Sequence, residues 1–114
     1  MIIDESEIQE NKHITRWLIG PWNSQSTVDF GIAFFQPNQR LESHYHEQVE
    51  EIIYTVDGEI TLLLGNEKSV KLKRGLVVHI PPNQTHALHN QTQKITKLVV
   101  VKSPSLPADK KFND

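Results

Sequence analysis

This sequence predicts an all-β fold, a sandwich or barrel of short antiparallel strands. Two observations carry that expectation. Side chains alternate with period 2 rather than 3.6: Val28, Phe30, Ile32 and Phe34 interleave with Asp29, Gly31, Ala33 and Phe35, and Val70 and Leu72 interleave with Lys71 and Lys73. Such alternation sends one set of side chains to each face of a sheet. Turn signals also recur at short intervals, at Pro37-Asn38, Asp57-Gly58, Gly65-Asn66, Arg74-Gly75 and Pro81-Pro82-Asn83. Asp57-Gly58 and Gly65-Asn66 supply residues tolerant of positive φ and read as short hairpins. Many short strands joined by close turns make a sandwich or barrel.

Taken in order, residues 1–13 form an N-terminal arm that is either a short helix or disordered. Strands are expected near 14–19, 28–36, 41–46, 51–56, 59–64, 69–73, 76–80, 86–90 and 94–102, so the barrel domain occupies 14–102. The tail, 103–114, reads SPSLPADKKFND. It has two prolines and no periodicity, and is expected to run as an irregular strap with a mobile end. No internal repeat or low-complexity tract is visible.

A chain of 114 residues suits one domain. Twelve basic residues against 14 acidic leave a formal net charge of −2, which gives no electrostatic reason to expect nucleic acid or an anionic membrane as partner. There is no cysteine. Disulfides and thiolate ligands are therefore excluded, and any metal must be held by nitrogen and oxygen. The first residues lack the basic start and apolar stretch of a secretory signal. Apolar runs such as Leu98–Val101 fall far short of the about 20 residues that span a bilayer. The expectation is a soluble, cytoplasmic protein.

The chemistry concentrates in ESHYHEQVEEIIYTVDG, residues 42–58. His44 and His46 are two apart, so on a strand both imidazoles project from one face. Glu50 or Glu51 follows on the adjoining strand, and His86 lies on a later one. Three imidazoles and a carboxylate make a good site for a divalent first-row metal. The competing reading is a polar surface strand that happens to carry histidines.

His44, His46, Glu51 and Gly58 resemble the first motif of the cupins, HxH(x)3–4E(x)6G, and Gly75, Pro81, His86 and Asn90 resemble the second, G(x)5PxG(x)2H(x)3N. The motifs stand in the right order, and the resemblance covers residues 28–102. Two turn positions depart from the pattern, with Asn38 and Asn83 where the family has glycine. Asparagine is the commonest other residue in the left-handed region, so both turns stay available. The chain is therefore identified as resembling a small single-domain cupin.

What the resemblance implies is a double-sheet jelly-roll barrel. It also implies one divalent metal, manganese, iron, nickel, cobalt or zinc, held by His44, His46, Glu51 and His86. Glu51 is preferred to Glu50 because only it leaves six residues before Gly58. Four protein ligands on an octahedral ion leave two positions for water or a bidentate small molecule. Strand parity then nominates Phe34, Gln36, Glu42, Ile53, Thr55 and Leu88 as pocket residues, with Asn90 either orienting His86 or ending its strand. The outward Ile52, Tyr54 and Val56 call for cover by the N-terminal strand or by a second copy, and small cupins commonly form homodimers.

The remaining histidines and aromatics carry weaker expectations. His13, His79 and His89 lie outside the motifs, Tyr45 and Tyr54 have the wrong parity for a pocket, and Trp17 and Trp22 are read as packing residues. Three classes of function follow. One is a metal-dependent oxygenase on a chelating organic substrate. Another is an isomerase, epimerase or lyase on a sugar or small acid, with Glu42 as the nearby carboxylate base. The third is a non-catalytic binder of a small molecule.

Overall fold

The structure is a computed structural model that describes residues 1–7, 14–65 and 68–112. Its strands follow the alternation closely: β1 (Thr15–Ile19), β2 (Asp29–Phe35), β3 (Arg40–Tyr45), β4 (Glu50–Asp57), β5 (Glu59–Leu64), β6 (Lys68–Lys73), β7 (Val77–Ile80), β8 (His86–His89), β9 (Thr96–Ser103) and β10 (Lys111–Phe112). They form two antiparallel sheets of five strands, ordered β1-β2-β9-β4-β7 and β10-β3-β8-β5-β6. Phe35, Ile53, Ile60, Leu62 and Leu98 are fully buried in the core between the sheets. Burying such side chains contributes roughly 1.5–3 kcal/mol each relative to leaving them in water. Among the described residues, no helix is long and apolar enough to cross a membrane.

β4 shows how period 2 becomes a two-sided strand. Glu51, Ile53 and Thr55 are buried, while Glu50, Ile52 and Tyr54 are exposed. The N-terminal strand does not cover that outer face. β1 pairs with β2 at the far end of the sheet, with two strands between it and β4, and Ile52 and Tyr54 remain 39% and 43% exposed.

The turns rest on positive φ. Asn38 and Asn83 both adopt φ of 69°, the left-handed conformation that glycine would otherwise supply. At Gly58, φ is 85°, and an added Cβ would lie 2.8 Å from Thr96 Oγ1 and 3.0 Å from Thr96 Cα. That turn therefore requires glycine for both conformation and space.

Both ends carry some regular structure. The N-terminal arm contains a 3₁₀ turn at Glu5–Glu7; residues 8–13, with His13, lie outside the described residues, as does Asn66 of the Gly65-Asn66 turn. In the tail, expected to be an irregular strap, the last described residues, Lys111–Phe112, form a strand. β10 pairs with β3, setting Lys111 opposite Tyr45 and Phe112 opposite His44. The pairing gives edge-strand backbone groups a partner and brings the strap against the histidine strand.

Candidate metal centre

β3, β4 and β8 deliver His44, Glu51 and His86, and His46 follows directly on the end of β3. β3 carries a bulge: Leu41 pairs with Leu88 and His44 with His86, so three steps on β3 match two on β8. The extra residue breaks simple parity. Leu41 and His44 both face inward, although an odd number of steps separates them, and Glu42 is exposed. His44, His46, Glu51 and His86 are all buried, at 3%, 4%, 5% and 1% exposure. One donor atom from each lies within 4.8 Å of every other. Glu51 Oε1 is 3.1 Å from His46 Nε2 and 3.8 Å from His86 Nε2.

All three rings are locked in the same way. His44 Nδ1 donates to the carbonyl of Glu42 at 2.7 Å, His86 Nδ1 to that of Gln84 at 2.9 Å, and His46 Nδ1 to that of Asp109. A carbonyl only accepts, so each imidazole carries its proton on Nδ1, and each Nε2 presents a lone pair. His46 Nε2, His86 Nε2 and Glu51 Oε1 have no hydrogen-bond partner although they are buried. Buried polar atoms are rarely left without a partner. Three neutral nitrogens and one carboxylate oxygen, oriented from behind and unpartnered in front, fit a divalent cation.

The electrostatics agree with this donor set. Burial pushes His44 down to about 4, the neighbouring His86 and Lys110 add to the effect, and the Glu42 carbonyl and Glu51 oppose it. The ring is therefore neutral and ready to coordinate at pH 7. For Glu51, burial raises the proton affinity, but the close His46 and His86 rings and the positive charge of Lys102 outweigh it, and the carboxylate is held well below its usual range.

The strap supports the centre from outside. Beyond its carbonyl bond to His46, Asp109 accepts through its carboxylate from the backbone N–H groups of Glu47, Gln48 and Val49 at 3.0, 2.8 and 3.1 Å. Those bonds hold the Asp109 carboxyl below its ordinary value. One residue thus ties the 47–49 loop to the back of a candidate ligand.

A cavity of about 690 Å³ opens onto His44 and Glu51. Leu88 lines it as parity anticipates, beside Phe35, Trp17, Val100, Lys102 and Lys110. The other nominated pocket residues stand elsewhere. Phe34 faces away from the cavity, where Arg16 and Lys97 lie 4.7 and 5.5 Å from its ring centre, and Phe35 takes the inward position. Gln36 is exposed beyond the end of β2, and Glu42 is turned outward by the bulge. Ile53 and Thr55 do face inward but are sealed in the core below the cavity, with Thr55 Oγ1 bonded to the Leu72 carbonyl.

Asn90 does not orient His86. Its amide bonds the carbonyls of Phe35 and Lys94 and receives Thr92, so it closes the turn after β8. His79 pairs with Glu50 and His89 with Asn38 at the surface. Trp17 does pack on the core, as its reading had it, but it also walls the cavity, lying over Gly31 where a Cβ would meet its ring at 2.6 Å. Lys102 had a signal in the sequence, since it continues the inward register of Thr96, Leu98 and Val100 along β9. Lys110 had none, because the path of the strap brings it there.

Residues 31–102 match the family model described as "Cupin domain". The chain is 30% identical over 111 residues to polyketide synthase CurC of Streptomyces cyaneus, covering 93% of this chain and 71% of that protein. It is 31% identical over 67 residues to quercetin 2,3-dioxygenase of Bacillus subtilis, covering 59% of this chain and 19% of that protein. Among solved structures, one described as a predicted oxalate decarboxylase from Thermotoga maritima superposes with a TM-score of 0.81 at 21% identity, covering 90% of this chain and 97% of that one.

Proposed function

The chain belongs to the cupin domain family, a double-stranded β-helix fold, and from that premise we propose a metal-dependent oxygenase acting on a planar, chelating organic substrate. His44, His46, Glu51 and His86 would hold one divalent ion. The chemistry supplied by such an ion is Lewis acidity and, for a redox-active metal, electron exchange with dioxygen. The observation that carries the reading is the set of three Nδ1-locked histidines whose Nε2 atoms converge with Glu51 beneath an open cavity.

The cavity wall favours an aromatic or polyketide-type molecule over a sugar. Trp17, Phe35, Leu88 and Val100 offer apolar area and few hydrogen bonds for hydroxyl groups. The names of two relatives, polyketide synthase and quercetin 2,3-dioxygenase, lie in that chemical range. The isomerase reading loses its carboxylate base, because Glu42 is exposed and turned away from the cavity. Fold alone does not choose a reaction. A step of polyketide synthesis that consumes no oxygen is the second reading, and the longer match to the polyketide synthase favours it.

The deciding test is oxygen uptake by protein loaded separately with iron, manganese, cobalt and nickel, with quercetin as the first probe and product analysis by mass spectrometry. Oxygen consumed in step with an oxygenated product is expected. Turnover without oxygen uptake would replace the oxygenase reading by the second.

The proposal extends to assembly. Ile52, Tyr54 and Val77 form an exposed apolar patch across β4 and β7, with Tyr54 directly opposite Val77. Since β1 lies at the other end of the sheet, a second copy of the chain is the occupant that the patch fits. Light scattering at micromolar concentration is expected to give a dimer mass, and a monomer mass would reject the pairing.

A further inference from the structure

Lys102 and Lys110 play no part in holding a cation, yet both face the candidate centre. Lys102 leaves β9 between Glu51 of β4 and Asp29 of β2, its partners in register. Among the described residues it makes no salt bridge with either, and neither does Lys110 with any carboxylate. The Lys102 ammonium instead stands 5.2 Å from the Trp17 ring centre, and that of Lys110 stands 5.3 Å from the ring centre of Phe112. Aromatic faces offer a cation partial compensation only.

The two ammonium groups have no carboxylate in salt-bridge contact among the described residues, and a bound divalent ion would make the local charge one-sided. Burial and the charge of Lys102 hold Lys110 below its usual value, the mark of two ammonium groups near each other in poorly hydrated space. Glu51 is a candidate ligand whose charge a divalent ion would absorb. Asp29 is the remaining buried carboxylate, and its Oδ1 has no partner. With a divalent ion in place, the cavity keeps a positive excess against walls of Ile14, Trp17, Phe35 and Leu88. A small hydrated anion would balance the charge but leave those walls uncovered. A ligand with an anionic group on a planar apolar body satisfies both.

We propose that the cavity binds planar aromatic or polyketide-derived acids, with Lys102 and Lys110 recognising the carboxylate or ionised enol. The inference rests on the cavity of the proposed function and deepens it, but the lysines act whether or not a metal is bound.

Calorimetry on metal-free protein, and on protein loaded with zinc, separates the two. The probes are salicylate and 1-hydroxy-2-naphthoate, each compared with its neutral amide. In metal-free protein the acids should bind at least about tenfold more tightly than the amides, the scale of a charge-assisted hydrogen bond. Lys102→Met and Lys110→Met should each remove most of that preference and leave amide affinity unchanged. Lys102→Arg and Lys110→Arg should retain it, as should Lys97→Met, whose ammonium lies over Phe34 outside the cavity.

Acids binding no better than their amides to the metal-free wild type would overturn the proposal. So would full preference in both methionine variants. If the methionine variants do not fold, the acid–amide comparison and the arginine variants decide. Elemental analysis of the zinc-loaded sample tests the metal reading by itself. An absence of bound zinc beside an intact acid preference would overturn the oxygenase and support the anion site.

Discussion

Alanine in place of His86 or His44 is expected to strip the protein of most of its metal, whereas alanine in place of Glu50 leaves occupancy unchanged. The two histidines are buried, are locked by main-chain carbonyls and direct Nε2 toward Glu51. Removing an outer support of a metal ligand typically costs 10–100-fold in affinity, so removing a donor should cost about a hundredfold or more. Glu50 makes the control because its carboxylate is exposed and pairs with His79 on the outer face. Asp109→Ala should fall between. It keeps the carbonyl that receives His46 but frees the 47–49 loop, and a loss of about tenfold is expected. Elemental analysis and competitive titration with a chelating dye measure these variants and Glu51→Ala. A Glu50→Ala protein as metal-poor as the histidine variants, with Glu51→Ala retaining metal, would shift the register of β4 by one residue and sink the proposed donor set.

Acidification should destabilise the metal-free protein in two successive windows. The folded state holds His44 at about 4 against an ordinary 6.5, chiefly through burial. Between these values the unfolded chain takes up a proton that the folded chain declines. Stability therefore falls as pH falls from about 6.5 toward 4. Glu51 acts lower. Its folded carboxyl lies below the ordinary 4.5, so the stability it contributes is present above that value and is lost as pH falls beneath it. The melting midpoint of metal-free protein should drop by at least about 5 °C between pH 7 and pH 4.5, a shift that one ionisation can produce in a domain of this size. His44→Asn should flatten the upper part of that slope. In metal-loaded protein, protons compete for three imidazoles together, and more than one should be taken up per ion released near pH 6. Titration calorimetry in buffers of different ionisation enthalpy counts them. A midpoint indifferent to pH would contradict the burial of His44, and a proton count of zero would rule out a three-histidine site.

Much of this architecture could be read from local pattern because its causes are local. Strand alternation depends on a period that sequence displays directly, and β4 keeps it from Glu50 to Tyr54. The turns at Asn38, Gly58 and Asn83 depend on which side chains tolerate positive φ. The HxH pair and the later Glu and His carry their own spacing, and the two motifs together identified the family. Parity misled where the backbone departed from it. The bulge in β3 turned Glu42 outward, and choosing Phe34 over Phe35 meant assigning which face of β2 is inside, which alternation leaves open.

By itself, then, the sequence determined the strand order along the chain, the positive-φ turns and the residue types available to hold a metal. Only the tertiary structure decided what supports those residues and what they face. Asp109 reaches His46 across 63 positions, and Lys110 arrives at the cavity because β10 adds to the edge of β3. Ile53 and Thr55 share the inward face with Glu51 yet lie in closed core, since depth along a barrel depends on how the opposite sheet packs. Such contacts are set by where distant strands pair, and pairing between distant strands has no period to read within either one.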